Sequence, residues 1–203
     1  MPQIEIDGRR LTPKAIATRN RIVEYATELF AAEGYAAVTV REIAAGTGLS
    51  SGAIYATFRG KADLLVEAVR SSIVHDVEDI PIEVLNKPLP EIAAYQFMTS
   101  SNARRERFRK LIIEAAVAAS TDDEVRRQLS AVIQTRMEYW VAGHEAWKRS
   151  TGIDSSIDMR ALASLLVSID LGYGVLNALG IAPPSPEQSA RLVYKLFQSF
   201  LPD

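Results

Sequence analysis

Two helix-start signals separated by a single glycine turn occupy residues 39–65, TVREIAAGTGLSSGAIYATFRGKADLL. No other stretch restricts the fold as tightly. Thr39 followed three residues later by Glu42 has the spacing of a capping box: the hydroxyl takes one free N–H and the carboxylate reaches back to another. A short helix over 40–47 follows. Gly48 then supplies a left-handed turn at no steric cost. Ser50 caps a second helix carrying Gly52, Ala53, Ile54, Tyr55, Ala56, Thr57 and Phe58, and Lys61 begins a third. Ile43, Ala44, Leu49, Ile54 and Phe58 are spaced to bury one side of both short helices, and Ala44 and Gly48 are small where the helices would cross. This is the pattern of a helix-turn-helix.

The burial pattern leaves Ser51, Gly52, Ala53, Tyr55 and Thr57 on or near the exposed side. Small residues at the start of such a helix let it approach base edges. Ser51 can hydrogen-bond a base, and the Ala53 methyl can touch a thymine methyl. Tyr55 and Thr57 reach toward phosphate oxygens. Lys61 and Thr39 stand at helix N-termini, where the dipole favours an anion. Phosphate contacts position a protein on DNA and base contacts specify sequence. Ser51, Gly52, Ala53 and Thr57 are all small, so base readout is expected to be sparse, with DNA shape adding specificity. The plainer reading of the same residues is a helical hairpin with no ligand.

Residues 48–65 closely resemble the DNA-binding domain of the TetR family of transcriptional regulators, and Leu29-Phe30-Ala31-Ala32-Glu33-Gly34-Tyr35 resembles the end of that family's first helix. The resemblance covers residues 18–69. It implies an all-helical homodimer that binds a palindromic double-stranded operator, most often as a repressor, and releases it when a small molecule enters the C-terminal domain. Thr57 stands where the family often carries a longer side chain, which shortens its reach to phosphate.

The remaining sequence is consistent with an all-α chain of about nine helices. Three segments are expected: a basic arm over 1–17, the helix-turn-helix domain over 18–70, and a helical effector-binding and dimerisation domain over 71–203. Thr12-Pro13 starts the first helix and Gly34 ends it. Further helices are expected over 61–80, 90–101, 103–120, 121–150, 157–179 and 185–201. Thr121 with Glu124 gives a second capping-box pattern and Ser185-Pro186-Glu187-Gln188 a third; Gly152 and Gly180 mark stops. Pro81, Pro88 and Pro90 mark a connector.

Net charge is −2, which does not advertise nucleic acid; residues 1–70 hold 9 Lys/Arg against 8 Asp/Glu, and residues 71–203 hold 14 against 17. Arg9, Arg10, Lys14, Arg19 and Arg21 nevertheless occur with no acid between Asp7 and Glu24, so this arm can follow phosphates or enter a minor groove. Arg104, Arg105, Arg107, Arg109 and Lys110 form a second basic cluster, read as a solvated helix face or, alternatively, a second nucleic-acid surface.

Leu162, Leu165, Leu166, Ile169, Leu176 and Leu179, then Leu192, Val193, Leu196, Phe197 and Phe200, recur at helical spacing in the last two helices. Two such helices from each of two chains can form a four-helix bundle, or they can simply close the monomer core. Gly172 and Gly174 inside the first of them suggest close helix packing. Candidate lining for a small, largely apolar effector is Tyr95 and Met98, then Met137, Trp140 and His144 with Ile133 and Trp147 on the same face, then Tyr173 and Asn177 with Asp170. An aromatic and methionine stripe is also what an ordinary core shows.

The chain has no cysteine and two histidines, His75 and His144, so thiolate metal sites are excluded and a usual zinc site is not expected. Gly60-Lys61 lacks the upstream glycine of a phosphate loop, and Gly172-Tyr173-Gly174 is neither a nucleotide fingerprint nor a nucleophile elbow. No cofactor and no enzymatic activity are expected. The N-terminus lacks a signal-peptide core, and no run approaches the ~20 apolar residues of a membrane helix. The expected location is the cytoplasm. The rival readings are a helical protein-interaction module and a small helical enzyme.

Overall fold

The computed structural model describes residues 5–6, 9–10, 12–78, 82–85, 87–98, 103–151, 156–182 and 184–199. Among these lie ten helices: α1 (Pro13–Glu33), α2 (Val40–Gly46), α3 (Ser51–Tyr55), α4 (Lys61–Glu78), α5 (Ile82–Leu85), α6 (Leu89–Met98), α7 (Ala103–Thr121), α8 (Asp123–Thr151), α9 (Met159–Ala178) and α10 (Pro186–Gln198). Nine coincide with expected helices; α5 is one extra turn inside the connector. The arm contributes a minimal hairpin, β1 (Glu5–Ile6) antiparallel to β2 (Arg9–Arg10), with Glu5 opposite Arg10 and Ile6 opposite Arg9. Gly152, expected as the stop of α8, and Phe200, expected at the end of α10, lie outside the described residues.

The helix starts follow local chemistry. Thr12 accepts from the Ala15 N–H with Pro13 in the first turn, Ser50 accepts from the Ala53 N–H, and Ser185 and Gln188 complete a capping box. The α7–α8 junction differs from expectation. Asp122, the single residue between the helices, accepts from the Glu124 and Val125 N–H groups at 2.9 and 3.1 Å. Thr121 instead donates back to the Ala118 carbonyl, so Asp122 is the cap. Asp158 caps α9 by accepting from the Ala161 N–H.

A continuous apolar core joins α1, α2, α3 and α4 to α7 and α8: Ile22, Phe30, Ile43, Ile54, Phe58 and Leu65 pack with Leu111, Ala115, Val125 and Leu129. The head therefore sits directly on α7 and α8. A second cluster gathers Ala93 of α6, Met159 and Leu162 of α9, and Ala190, Val193 and Phe197 of α10. Ala93, Ser189 and Ala190 are all buried, and these small residues let α6 and α10 pack closely.

Leu162, Val193 and Phe197 thus close the core of the chain itself. The opposite face of α9 carries Leu165, Ser168, Gly172, Val175 and Leu179 in steps of three and four; Leu165 is 49% and Leu179 69% exposed. On α10, Leu192 is likewise 69% exposed. A Cβ at Gly172 would meet nothing within 4 Å, whereas one at Gly174 would lie 2.9 Å from Arg109 Cβ. Among the described residues, Gly174 is bare where α9 meets Arg109 of α7, and no such contact is seen at Gly172. Contrary to the sequence expectation, α9 is long and apolar enough to cross a membrane by length and composition. Asp170, midway along it, is buried and paired to two arginines of α7.

Candidate nucleic-acid interface

The hairpin is assembled by local bonds. Thr39 Oγ1 accepts from the Glu42 N–H at 3.2 Å, and Glu42 Oε2 accepts from the Thr39 N–H at 2.7 Å. The Thr39 hydroxyl, which also donates to Glu42 Oε2 at 2.8 Å, and the Thr39 N–H hold the Glu42 carboxyl below its usual pKa of 4.5. The turn closes as a Schellman motif: the Leu49 N–H donates to the Ala44 carbonyl at 2.8 Å and the Gly48 N–H to the Ala45 carbonyl at 3.1 Å, with Gly48 at φ 68°. Ile43, Ala44, Ile54 and Phe58 are buried as expected.

The second helix, α3, is one turn shorter than expected. Ala56 is its C-cap, and the Thr57 and Phe58 N–H groups both donate to the Ile54 carbonyl. The N-terminal end of α3 carries half-buried Ser51 and Ala53 beside exposed Gly52. Tyr55, 57% exposed, projects from its last turn. Thr57 is exposed, with its hydroxyl returned to the Ala53 carbonyl at 3.2 Å. Thr39 and Ser50 are exposed caps.

Lys61 has a more specific place than a phosphate ligand at a helix start. Its ammonium donates to the carbonyls of Tyr35, Val38 and Ala36 at 2.8, 3.0 and 3.4 Å and lies 4.4 Å from the Tyr35 ring centroid. An ammonium has three hydrogens, and three carbonyls receive them. Burial lowers its pKa. Lys61 therefore ties the start of α4 to the loop that leads into Thr39.

Two glycines set the close contacts around the hairpin. A Cβ at Gly46 would lie 2.0 Å from Tyr25 Cζ, so α2 rests against the α1 tyrosine only because that position is bare. Gly34, at φ 86°, ends α1 beside Glu114 of α7, whose Oε2 accepts from the Tyr35 N–H at 2.8 Å. Sequence reasoning missed Gly46, Tyr25 and Glu114, because each matters through a contact distant in the chain.

The basic arm loses one expected member. Arg19 pairs with Glu67 at 2.8 Å and stacks on Phe58 at 4.4 Å, with its side chain only 13% exposed. Lys14 and Arg21 remain exposed. The 104–110 cluster is also not a uniformly solvated face. Arg105 and Arg109 turn inward onto Asp170 Oδ1 of α9, Arg109 at 2.6 Å through Nη2. Lys110 pairs with Glu106 along the helix surface.

The candidate effector residues divide. Trp140 and Tyr173 pack on the second apolar cluster with Val141, Leu166 and Ile169, and the Tyr173 hydroxyl lies 3.2 Å from Ser189 Oγ. Tyr95 and Met137 are half-buried. Met98 and Ile133 are exposed, and exposed Asn177 donates to Glu106 at 3.0 Å. Asp170 serves the arginine pair. The side chains of His144 and Trp147 lie outside the described residues.

A chain that is overwhelmingly helical among its described residues and presents a capped two-helix hairpin, with small residues at the start of the second helix, has the architecture of a helix-turn-helix DNA-binding protein. Residues 22–68 match the family described as bacterial regulatory proteins, tetR family. The regulator SrpR of Pseudomonas putida is 39% identical over 71 residues, 35% of this chain and 33% of its own. The transcriptional repressor KstR2 of Mycobacterium tuberculosis is 36% identical over 61 residues, 30% of each chain. The chain thus spans about a third of the length of these curated relatives. Among solved structures, a TetR-family transcriptional regulator from Rhodococcus superposes with a TM-score of 0.77 at 15% identity, over 91% of this chain and 98% of its own. FadR from Bacillus subtilis, solved with stearoyl-CoA, gives 0.63 at 16% identity, over 91% and 100%. Residues 22–68 thus carry a match to the tetR family, and over the rest of the chain the likeness is one of fold.

Proposed function

We propose that this chain is a transcriptional repressor that binds a palindromic operator as a homodimer, works in the cytoplasm and is released by a small, largely apolar effector. The observation that carries the reading is the hairpin: two capped short helices, a Schellman turn at Gly48, and a second helix with small residues at its start and exposed Tyr55 at its end. Ser51, Gly52 and Ala53 approach base edges. Thr39, Ser50, Tyr55 and Thr57 contact phosphates, and the arm follows the backbone beside them. Lys61 supports them by holding the loop before Thr39. Repression is supported by the relative named as a repressor.

The homodimer is supported by the unpartnered stripe on α9. Leu165, Ser168, Gly172, Val175 and Leu179 follow a seven-residue repeat, and the small residues at its centre let a second α9 approach closely. Exposed Leu192 of α10 extends the surface. A two-fold dimer puts two recognition helices about 34 Å apart, as two half-sites require. The effector enters beside Trp140, Tyr173, Tyr95 and Met137, next to the second apolar cluster. Its binding shifts the dimer toward a head spacing that no longer fits the operator; a coupling of about 1–3 kcal/mol weakens binding roughly 5–150-fold.

Selection of bound DNA from a random-sequence pool, followed by footprinting on the DNA upstream of the gene, tests the reading. A palindromic motif protected on both half-sites is expected. A full-length dimer that enriches no sequence would refute it.

A further inference from the structure

Helix α7 carries two polar clamps, one on α9 and one on the loop between α1 and α2. At its N-terminal half, the Arg105 and Arg109 guanidiniums converge on Asp170 Oδ1 of α9, with Nε–O distances of 3.2 and 3.1 Å. About two turns further along α9, Asn177 donates to Glu106 of α7, and Gly174 lets the two helices touch at Arg109. Toward its C-terminal half, Glu114 accepts the Tyr35 N–H at 2.8 Å. Tyr35 is the residue whose carbonyl and ring hold Lys61 at the start of α4. Arg109 and Glu114 are five residues apart, about 7.5 Å along the axis and on nearly opposite sides of it. Between and beyond them, Leu111, Ala115 and Ala118 are buried in the core of the head.

Helix α9 presents the apolar stripe to a partner, and the head presents α3 to DNA. A rigid helix fastened to both transmits the geometry of one to the other. We propose that α7 is a strut that sets the separation of the two recognition helices in the dimer, with Glu114 the positioning residue at its DNA-side end and Asp170 at its dimer-side end. This rests on the homodimeric, DNA-binding reading above. Glu114 suits the role because it grips a backbone N–H beside Gly34, at the junction where α1 hands over to the hairpin. It fixes the head's position without touching DNA.

The test is half-site spacing. The full-length wild-type protein, selecting from a pool of palindromes with varied spacers, should enrich one spacing. Glu114→Ala should enrich neighbouring spacings of one base pair more and fewer as well, and should bind the preferred spacing about 5–20-fold more weakly, with an unchanged sedimentation coefficient. Glu114→Gln keeps a carbonyl oxygen for the Tyr35 N–H and should restore the single spacing. A residue that merely stabilised the fold would lower affinity at every spacing alike. Asp170→Asn should broaden the spacing in the same way. With the strut already released, the double variant should lose no more than about twofold beyond Glu114→Ala. The proposal is overturned if Glu114→Ala keeps the single spacing, if Glu114→Gln behaves as Glu114→Ala does, or if the two losses multiply. Should Asp170→Asn not fold, the Glu114 pair alone decides. If the wild-type protein enriches no sequence, the DNA-binding reading fails and the strut with it; enrichment by the wild type with an indifferent Glu114 refutes the strut alone.

Discussion

Gly46→Ala has two opposite expected effects, and the structure decides the sign. Gly46 is the last residue of α2 and has no positive φ, so helix propensity alone favours alanine by about 0.5–1 kcal/mol. The new Cβ, however, would lie 2.0 Å from Tyr25 Cζ, 2.1 Å from its hydroxyl oxygen and 2.3 Å from Cε1. No small adjustment relieves contacts that short. Either the phenol ring leaves its place against the core, or α2 moves away from α1. Overpacking of this kind costs about 1–3 kcal/mol. The net expectation is a loss of roughly 1–2 kcal/mol, or about 2–8 °C in Tm for a chain of this size. Thermal unfolding of Gly46→Ala, Tyr25→Ala and the double variant checks it. In the Tyr25→Ala background the clash is gone, and Gly46→Ala should then stabilise by about 0.5 kcal/mol. DNA affinity should fall in the single Gly46 variant, because α2 carries α3 with it. A rise in Tm on Gly46→Ala in both backgrounds would refute the packing argument.

Three further outcomes are expected. Glu42 has a lowered folded pKa, so its contribution to stability is full above the unfolded value near 4.5 and disappears as pH falls through the folded value; Glu42→Gln, which does not titrate, should flatten the fall in Tm between pH 5 and pH 3. Lys61→Ala should lower Tm by several degrees and weaken DNA binding while leaving the salt dependence unchanged, since its ammonium is engaged by three carbonyls; a slope of log affinity on log salt reduced by about one would show a direct phosphate contact instead. Leu165→Glu with Leu179→Glu should leave a folded monomer by sedimentation, because both side chains project from the exposed stripe of α9; a dimer persisting at micromolar concentration would move the interface elsewhere.

Features that act over three to five residues were legible in the sequence. A capping hydroxyl and the N–H it accepts are neighbours on the chain, so Thr12, Thr39, Ser50 and Ser185 could be assigned from spacing, and all four accept as expected. The Gly48 turn follows from the same locality. Asp122 shows the limit: two capping residues stood side by side, and only the actual bonds distinguish it from Thr121. The apolar positions of the hairpin were equally readable, because burying one side of two short helices admits few registers.

The direction in which a long side chain turns was settled by its partners across the fold. Arg19 belongs to a basic run in the sequence, yet Glu67 and Phe58 draw it inward. Arg105 and Arg109 belong to a basic cluster, yet Asp170 lies 61 to 65 residues away and collects both. Lys61 stands at a helix start, where an anion would be welcome, and three carbonyls of a neighbouring loop take its hydrogens first. The periodicity of α9 and α10 identified apolar residues but not which of two faces each would occupy. By itself the sequence determined that this chain is helical and carries a capped hairpin suited to DNA, because those properties arise from neighbours. Tertiary structure alone decided which charges remain for a ligand, which leucines remain for a partner and how the head is fastened to the body, because burial and ion pairing depend on residues brought together only by folding.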